Sequence, residues 1–146
     1  MKTILYFLLD QWADFEAAYL STAVTMIGGG NFENKIVSLT TNPVKSIGGF
    51  SVLPDYDLNN VPQEYDALIL IGGLSWHNEE AYQVKSFVEK TIKEGKLLVR
   101  FAMLAAFWER LVCLITENIQ QTILRNLKPR QDPFIQTKIN LFHVKR

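Results

Sequence analysis

Cysteine is nearly absent from this sequence: Cys113 stands alone in 146 residues. An intramolecular disulfide is therefore excluded, and neither of the two histidines combines with Cys113 at zinc-ligand spacing. This usage fits a reducing, cytoplasmic setting. Long uncharged apolar runs are missing too. Residues 4–9 meet Asp10 with no small-residue cleavage site, so they do not read as a signal peptide. Residues 97–115 are broken by Arg100, Glu109 and Arg110, whereas a membrane span needs about 20 largely uncharged residues. An excess of one charge is also lacking. Fifteen Lys and Arg balance fifteen Asp and Glu, which removes any global argument for nucleic acid or an acidic membrane as partner. The sequence presents no cofactor motif and no metal cluster. Gly28-Gly29-Gly30 follows a helical stretch rather than a strand, and so lacks the context of a dinucleotide loop.

Two further absences divide the chain. No glycine follows Gly95, and no arginine precedes Arg100. Residues 1–99 hold 7 Lys against 12 Asp and Glu, a net charge of −5. Residues 100–146 hold 8 Lys and Arg against 3 Asp and Glu, a net charge of +5. The zero total is thus the sum of two unlike parts, and the break calls for an explanation. With 48% hydrophobic residues the chain is not compositionally disordered, and its length suits one domain.

The first part follows α/β rules. Residues 3–9 (TILYFLL), 35–39 (KIVSL), 67–71 (ALILI) and 96–99 (KLLV) read as buried strands. Residues 46–53, containing Gly48-Gly49, read as a strand or hairpin arm, and 54–64 as a polar connection. Asp14 is the expected N-cap of a helix over 15–27, with Phe15, Tyr19 and Ala23 on its apolar face and Ala18 and Met26 beside them. Residues 74–78 read as a loop, and Asn78 as the cap of a helix over 79–94 that Gly95 stops. Apolar strands alternating with helices predict a mainly parallel sheet, in which sites lie beyond the carboxyl ends of the strands. Residues 10–16, Gly72-Gly73 and whatever follows KLLV therefore share one predicted edge. After residue 100 the alternation stops, and 116–146 carries mixed signals.

Few residues at that edge have chemical potential. Glu16 is either a helix-start carboxylate favoured by the helix dipole or a carboxyl turned into a site. Gly72-Gly73 is either a plain turn or a place where backbone N–H groups meet an oxyanion unobstructed. His77, beside Trp76, has no neighbouring nucleophile and reads as a solvated loop residue. Cys113, between Val112 and Leu114, reads as a small core hydrophobe.

Residues 1–99 resemble the PfpI-type branch of the class I glutamine amidotransferase-like superfamily, which also contains the DJ-one proteins. ILYFLLDQWADFEAAYL, SIGGFSVLPDYDL, YDALILIGGLSW and VKSFVEKTIKEGKLLV carry the likeness, in family order. The resemblance implies a flavodoxin-like three-layer sandwich that often forms a homodimer, acting on a small-molecule or peptide substrate. It also implies a nucleophilic cysteine on a sharp turn after the KLLV strand, at a helix N-terminus that stabilises its thiolate. Glu16 would hydrogen-bond that thiol, and Gly73 with Gly72 would form the oxyanion turn.

Here the sequence departs from the family. Val99-Arg100-Phe101-Ala102-Met103 stands where Ala-Ile-Cys is the pattern, so the nucleophile is missing near Ala102. The genetic code tests one cause. Taking the third base of each codon with the first two of the next, Phe101-Ala102 permits only Cys or Arg. Phe107-Trp108 forces Leu, Trp108-Glu109 forces Gly, and Asn118-Ile119 permits His or Tyr. One permitted reading from Arg100 to Thr122 is AICDACGFLGxxGLLDNGKHTAN, which restores the family segment with its cysteine and His-Thr pair. The expectation is a frame lost by one base near Val99/Arg100: 1–99 is the front of a PfpI-type domain, and 100–146 is out-of-frame translation. Such a chain is inactive by the cysteine route. Sheet faces left uncovered by the missing half predict poor solubility. The competing reading is a non-catalytic α/β binding module with a basic C-terminal tail. A nucleic-acid arm is disfavoured, since the tail's charges are scattered.

Overall fold

A computed structural model describes residues 1–101. The expectations for 102–146, including the place of the missing nucleophile at Ala102 and the packing of Cys113, lie outside the described residues.

Five strands form one parallel sheet: β1 (Lys2–Phe7), β2 (Phe32–Ser38), β5 (Tyr56–Asp57), β6 (Ala67–Leu70) and β7 (Leu97–Arg100), in the order β5-β2-β1-β6-β7. The apolar runs expected to be strands are strands, with ends moved by at most three residues. Residues 46–53 contribute half of a hairpin whose arms are β3 (Val44–Lys45) and β4 (Ser51–Val52), paired antiparallel. Gly49, at φ 92°, supplies its turn in a conformation that L side chains rarely adopt.

The polar connection at 54–64 proved to hold a strand. Tyr56 and Asp57 pair in parallel with Val37 and Ser38. The pairing is seeded by Asp55, whose carboxylate accepts the Ile36 N–H at 2.7 Å while its own N–H donates to the Ile36 carbonyl at 2.9 Å. Two residues give too short a pattern for hydrophobic periodicity to reveal.

Among the described residues two α-helices cover the sheet. Helix α1 (Asp14–Ile27) corrects two expectations. Its cap is Ala13, which makes no side-chain cap bond, and Asp14 is already helical. The Asp14 carboxylate instead accepts the Gly48 N–H at 2.8 Å, tying the helix start to the hairpin. The buried face is also different. Ala17, Leu20 and Val24, spaced i, i+3, i+7, pack on the sheet, while Phe15, Tyr19 and Met26 are 68%, 83% and 79% exposed. The inward face therefore lies one residue along from the expected one, with Glu16 on it.

On the opposite side, residues 74–78 are not a loop: Leu74–His77 forms a 3-10 turn. The helix expected over 79–94 starts as another 3-10 turn, Glu79–Val84, and becomes α2 only at Lys85–Lys93. Asn78 gives no side-chain cap to it. The tighter winding eclipses residues three apart and drives Ala81 and Val84 inward together. Phe87, Val88 and Thr91 continue that buried stripe along α2.

The pleat sorts the core. Ile4, Tyr6 and Leu8 of β1 join Ala67, Ile69 and Ile71 on the α1 side. Leu5, Phe7, Leu68 and Leu70 alternate with them, and Phe7 meets the Trp76 ring at 5.8 Å. The Trp76 indole N–H donates to the Ile71 carbonyl at 2.7 Å, so this tryptophan is a structural peg.

One polar pair is fully enclosed. Thr91 Oγ1 donates to the Phe87 carbonyl at 2.8 Å and so must accept from the Tyr65 hydroxyl at 2.7 Å. Replacement Thr91→Val is isosteric but strands the Tyr65 hydroxyl. It is expected to cost about 1–3 kcal/mol of stability, read by urea unfolding. An unchanged midpoint would mean that Tyr65 has another partner.

Candidate active site

The chain reverses direction across the sheet at β1: β2 lies on one side of it and β6 on the other. The carboxyl ends of β1 and β6 therefore lie at the topological switch point, the position at which α/β folds place ligands. Three backbone contacts knit these two connections. Ala13 N–H donates to the Gly72 carbonyl at 2.8 Å, Leu74 N–H to the Gln11 carbonyl at 3.1 Å, and Trp12 forms an antiparallel bridge with Gly73. Neither hydrogen bond uses the N–H of Gly73.

Glu16 enters this junction from the first turn of α1. It is 5% exposed, and its Oε2 accepts the Gly72 N–H at 2.7 Å. The structure thus brings together two of the residues singled out in the sequence, and Gly73 adjoins them. Burial raises the Glu16 carboxyl above its ordinary range, and the bond from Gly72 offsets only part of that rise. A raised native pKa means that the folded chain holds a proton which the unfolded chain has released. Stability then falls as pH rises from the ordinary glutamate value, about 4.3, through the raised native value. Replacement Glu16→Gln is expected to remove that fall in stability above the ordinary glutamate range while leaving stability in acid nearly unchanged. Chemical denaturation at a series of pH values checks this, and an identical slope in the variant would assign the effect elsewhere.

The glycine at 73 is required by space. A Cβ there would lie 2.6 Å from the Gln11 carbonyl oxygen and 2.9 Å from the Trp12 Cα. Gln11 itself, at φ 57°, occupies the left-handed region that few non-glycine residues adopt. It turns β1 sharply into the site, and no sequence rule marks it. A second unforeseen feature is the Asp14 carboxyl, which the nearby Ser46 hydroxyl and the Gly48 N–H hold below the usual carboxylate range. His77 is exposed on its 3-10 turn and belongs to no cluster with Glu16. On the far side of β6, the Phe101 N–H donates to the Leu70 carbonyl at 3.2 Å. The chain leaving β7 is therefore level with the strand end that leads to Gly72. Among the described residues no group of His, Cys, Asp and Glu is arranged to hold a metal ion, and no helix is long and apolar enough to cross a membrane.

The profile of the DJ-1/PfpI family matches residues 2–103. The chain belongs to that family. An uncharacterized protease of Bacillus subtilis (strain 168), YdeA, is 34% identical over 96 residues, covering 63% of this chain and 47% of YdeA. A DJ-1 superfamily protein of Agrobacterium tumefaciens is 31% identical at a TM-score of 0.62, over 68% of this chain and 53% of its own. Drosophila melanogaster DJ-1beta, 18% identical, shares the fold at a TM-score of 0.61 over 75% of this chain and 60% of its own. The chain thus spans about half the length of the first two relatives. The DJ-1/PfpI fold is the flavodoxin-like α/β arrangement expected from the sequence.

Proposed function

We propose that this chain is the front half of a cysteine-dependent DJ-1/PfpI hydrolase, read out of frame from about Arg100, and that it does not itself turn over substrate. The observation that carries the reading is the Glu16 carboxyl, buried on the Gly72 N–H at the sheet edge where β7 also ends. A buried acid at that edge has no packing purpose that an apolar residue would not serve better. Beside a thiol it has one.

In the intact parent, a cysteine leaving β7 would attack a carbonyl carbon of a peptide or a carbonyl-modified group. Glu16 Oε2 is committed to Gly72, so Oε1 is the atom that meets the thiol. The N–H of Gly72 is spent on Glu16, so the N–H of Gly73 takes the developing oxyanion. The protease name of YdeA supports a hydrolytic class. A homodimer and a cytoplasmic setting belong to the same proposal.

The coding DNA around codons 96–102 tests the frame. Codons unable to spell Cys at the Phe101-Ala102 junction end the reading. The polypeptide tests the activity. Peptide and glycated substrates are expected to remain intact, and turnover abolished by iodoacetamide would refute the assignment.

A further inference from the structure

The outer face of α1 carries no charged side chain. Asp14 and Glu16 are the only charged residues of the helix, and they are taken up by the Gly48 N–H and the Gly72 N–H. What remains outward is Phe15, Ala18, Tyr19, Thr22 and Met26, an exposed stripe at i, i+3, i+4, i+7 and i+11. It lies opposite Ala17, Leu20 and Val24, which pack on the sheet. The Asp14 bond brings the hairpin turn to the head of this stripe. Ile47 and Phe50, 48% and 68% exposed, flank the turn. Between helix and hairpin lies a depression of about 530 Å³, bordered by Ala18, Thr22 and Met26 on one side and Val52 on the other. The apolar surface is thus continuous across two elements.

An exposed apolar patch of this kind marks a contact surface, and its chemistry selects the occupant. Nucleic acid and anionic membranes are held by basic residues, and the stripe has none. A partner chosen by charge needs a complementary charge, which is lacking as well. In a twofold contact each residue near the axis meets its own copy, so a charge there would repel itself. An uncharged stripe removes that conflict. Ala18 and Thr22, small and central, let two helix backbones approach, with Phe15, Tyr19 and Met26 around them. At their exposures, Phe15, Tyr19 and Phe50 alone offer about 450 Å². With Met26, Ile47 and the small residues between, the face approaches the size of a stable interface, about 800 Å² per partner.

We propose that a second copy of this chain packs on the outer stripe of α1 and the adjoining hairpin turn, in a twofold contact centred on Ala18 and Thr22. The contact gives a surface to the homodimer of the proposed function and rests on that part of it alone. Every residue involved precedes Arg100, so the contact depends neither on the frame nor on the missing nucleophile.

Sedimentation velocity of the full chain at about 1–100 μM reads the association. Expected is a dimer that Tyr19→Lys and Thr22→Lys each weaken at least about tenfold, since each lysine meets its own copy. Both positions are exposed, so both variants keep the core, and an unchanged urea midpoint checks this. Replacement Thr22→Cys in a Cys113→Ser background is expected to join two copies by a disulfide when oxidised with copper phenanthroline. Lys93→Cys in the same background, exposed on α2, is expected to leave them separate. A monomer at about 100 μM, association indifferent to both lysines, or no cross-link at position 22 would each overturn the proposal. A monomer would remove the homodimer and leave the reading of the frame standing. Coding DNA with an intact frame would do the reverse.

Discussion

If the proposed loss of frame is right, inserting one base between codons 99 and 100 is expected to yield a thiol-dependent hydrolase. The insertion places a cysteine where Ala102 now stands, provided that the Phe101 codon ends in T. Loss of an attacking nucleophile commonly costs several orders of magnitude in rate, so a gain of at least about a thousandfold over the present chain is expected. Three readouts belong together: turnover on a peptide or glycated substrate, its loss with iodoacetamide, and labelling of a single reactive thiol. In the restored chain, Glu16→Gln should change the pH profile of turnover as well as its rate, because Glu16 is proposed to touch the thiol that titrates. A restored chain that folds, labels at the new cysteine and still turns nothing over would separate the frame from the hydrolytic class. The frame would stand and the class would fall.

Gly73→Ala is expected to unfold or loosen the site. The added carbon would meet the Gln11 carbonyl oxygen at 2.6 Å and the Trp12 Cα at 2.9 Å, and both are backbone atoms. A flexible side chain could swing aside. Here the two connections are held together by the bonds Ala13 to Gly72 and Leu74 to Gln11, so relief requires breaking that junction. Overpacking of this kind costs about 3 kcal/mol, the upper part of its usual range. The same shift would pull Trp12 from the core and the Gly73 N–H from the site. Urea unfolding followed by tryptophan fluorescence checks the effect. A midpoint equal to that of the unsubstituted chain would show that the two connections are looser than their hydrogen bonds imply.

The likeness to known sequences and the strand pattern pointed at the same sheet edge from different sides. ALILI and KLLV were legible as buried strands because a parallel strand covered on both faces must be apolar throughout. Glu16 and Gly72-Gly73 were legible as candidates because both follow such strands. What stayed hidden in the site was conformational. Gln11 at φ 57° is an ordinary glutamine in sequence, and Asp14 reads as a cap until the hairpin is there to claim its carboxylate. The face of α1 was hidden for a related reason. Phe15 and Tyr19 are the larger apolar side chains, but Ala17, Leu20 and Val24 are the ones that meet the sheet, and which face docks depends on strands distant in sequence.

By itself the sequence determined the alternation of strands and helices, the family, and the break in composition at Arg100. Those properties are written in local periodicity and residue type, which survive without knowledge of what lies opposite. Only the tertiary structure decided that Glu16 meets the Gly72 N–H rather than solvent, that β5 exists, and that Ala17, Leu20 and Val24 meet the sheet. Each of these depends on atoms distant in sequence arriving within hydrogen-bond or van der Waals reach. Glu16 and Gly72 are 56 residues apart in the chain and 2.7 Å apart in the fold. Strand order, set by which apolar faces find each other, is what closes that gap.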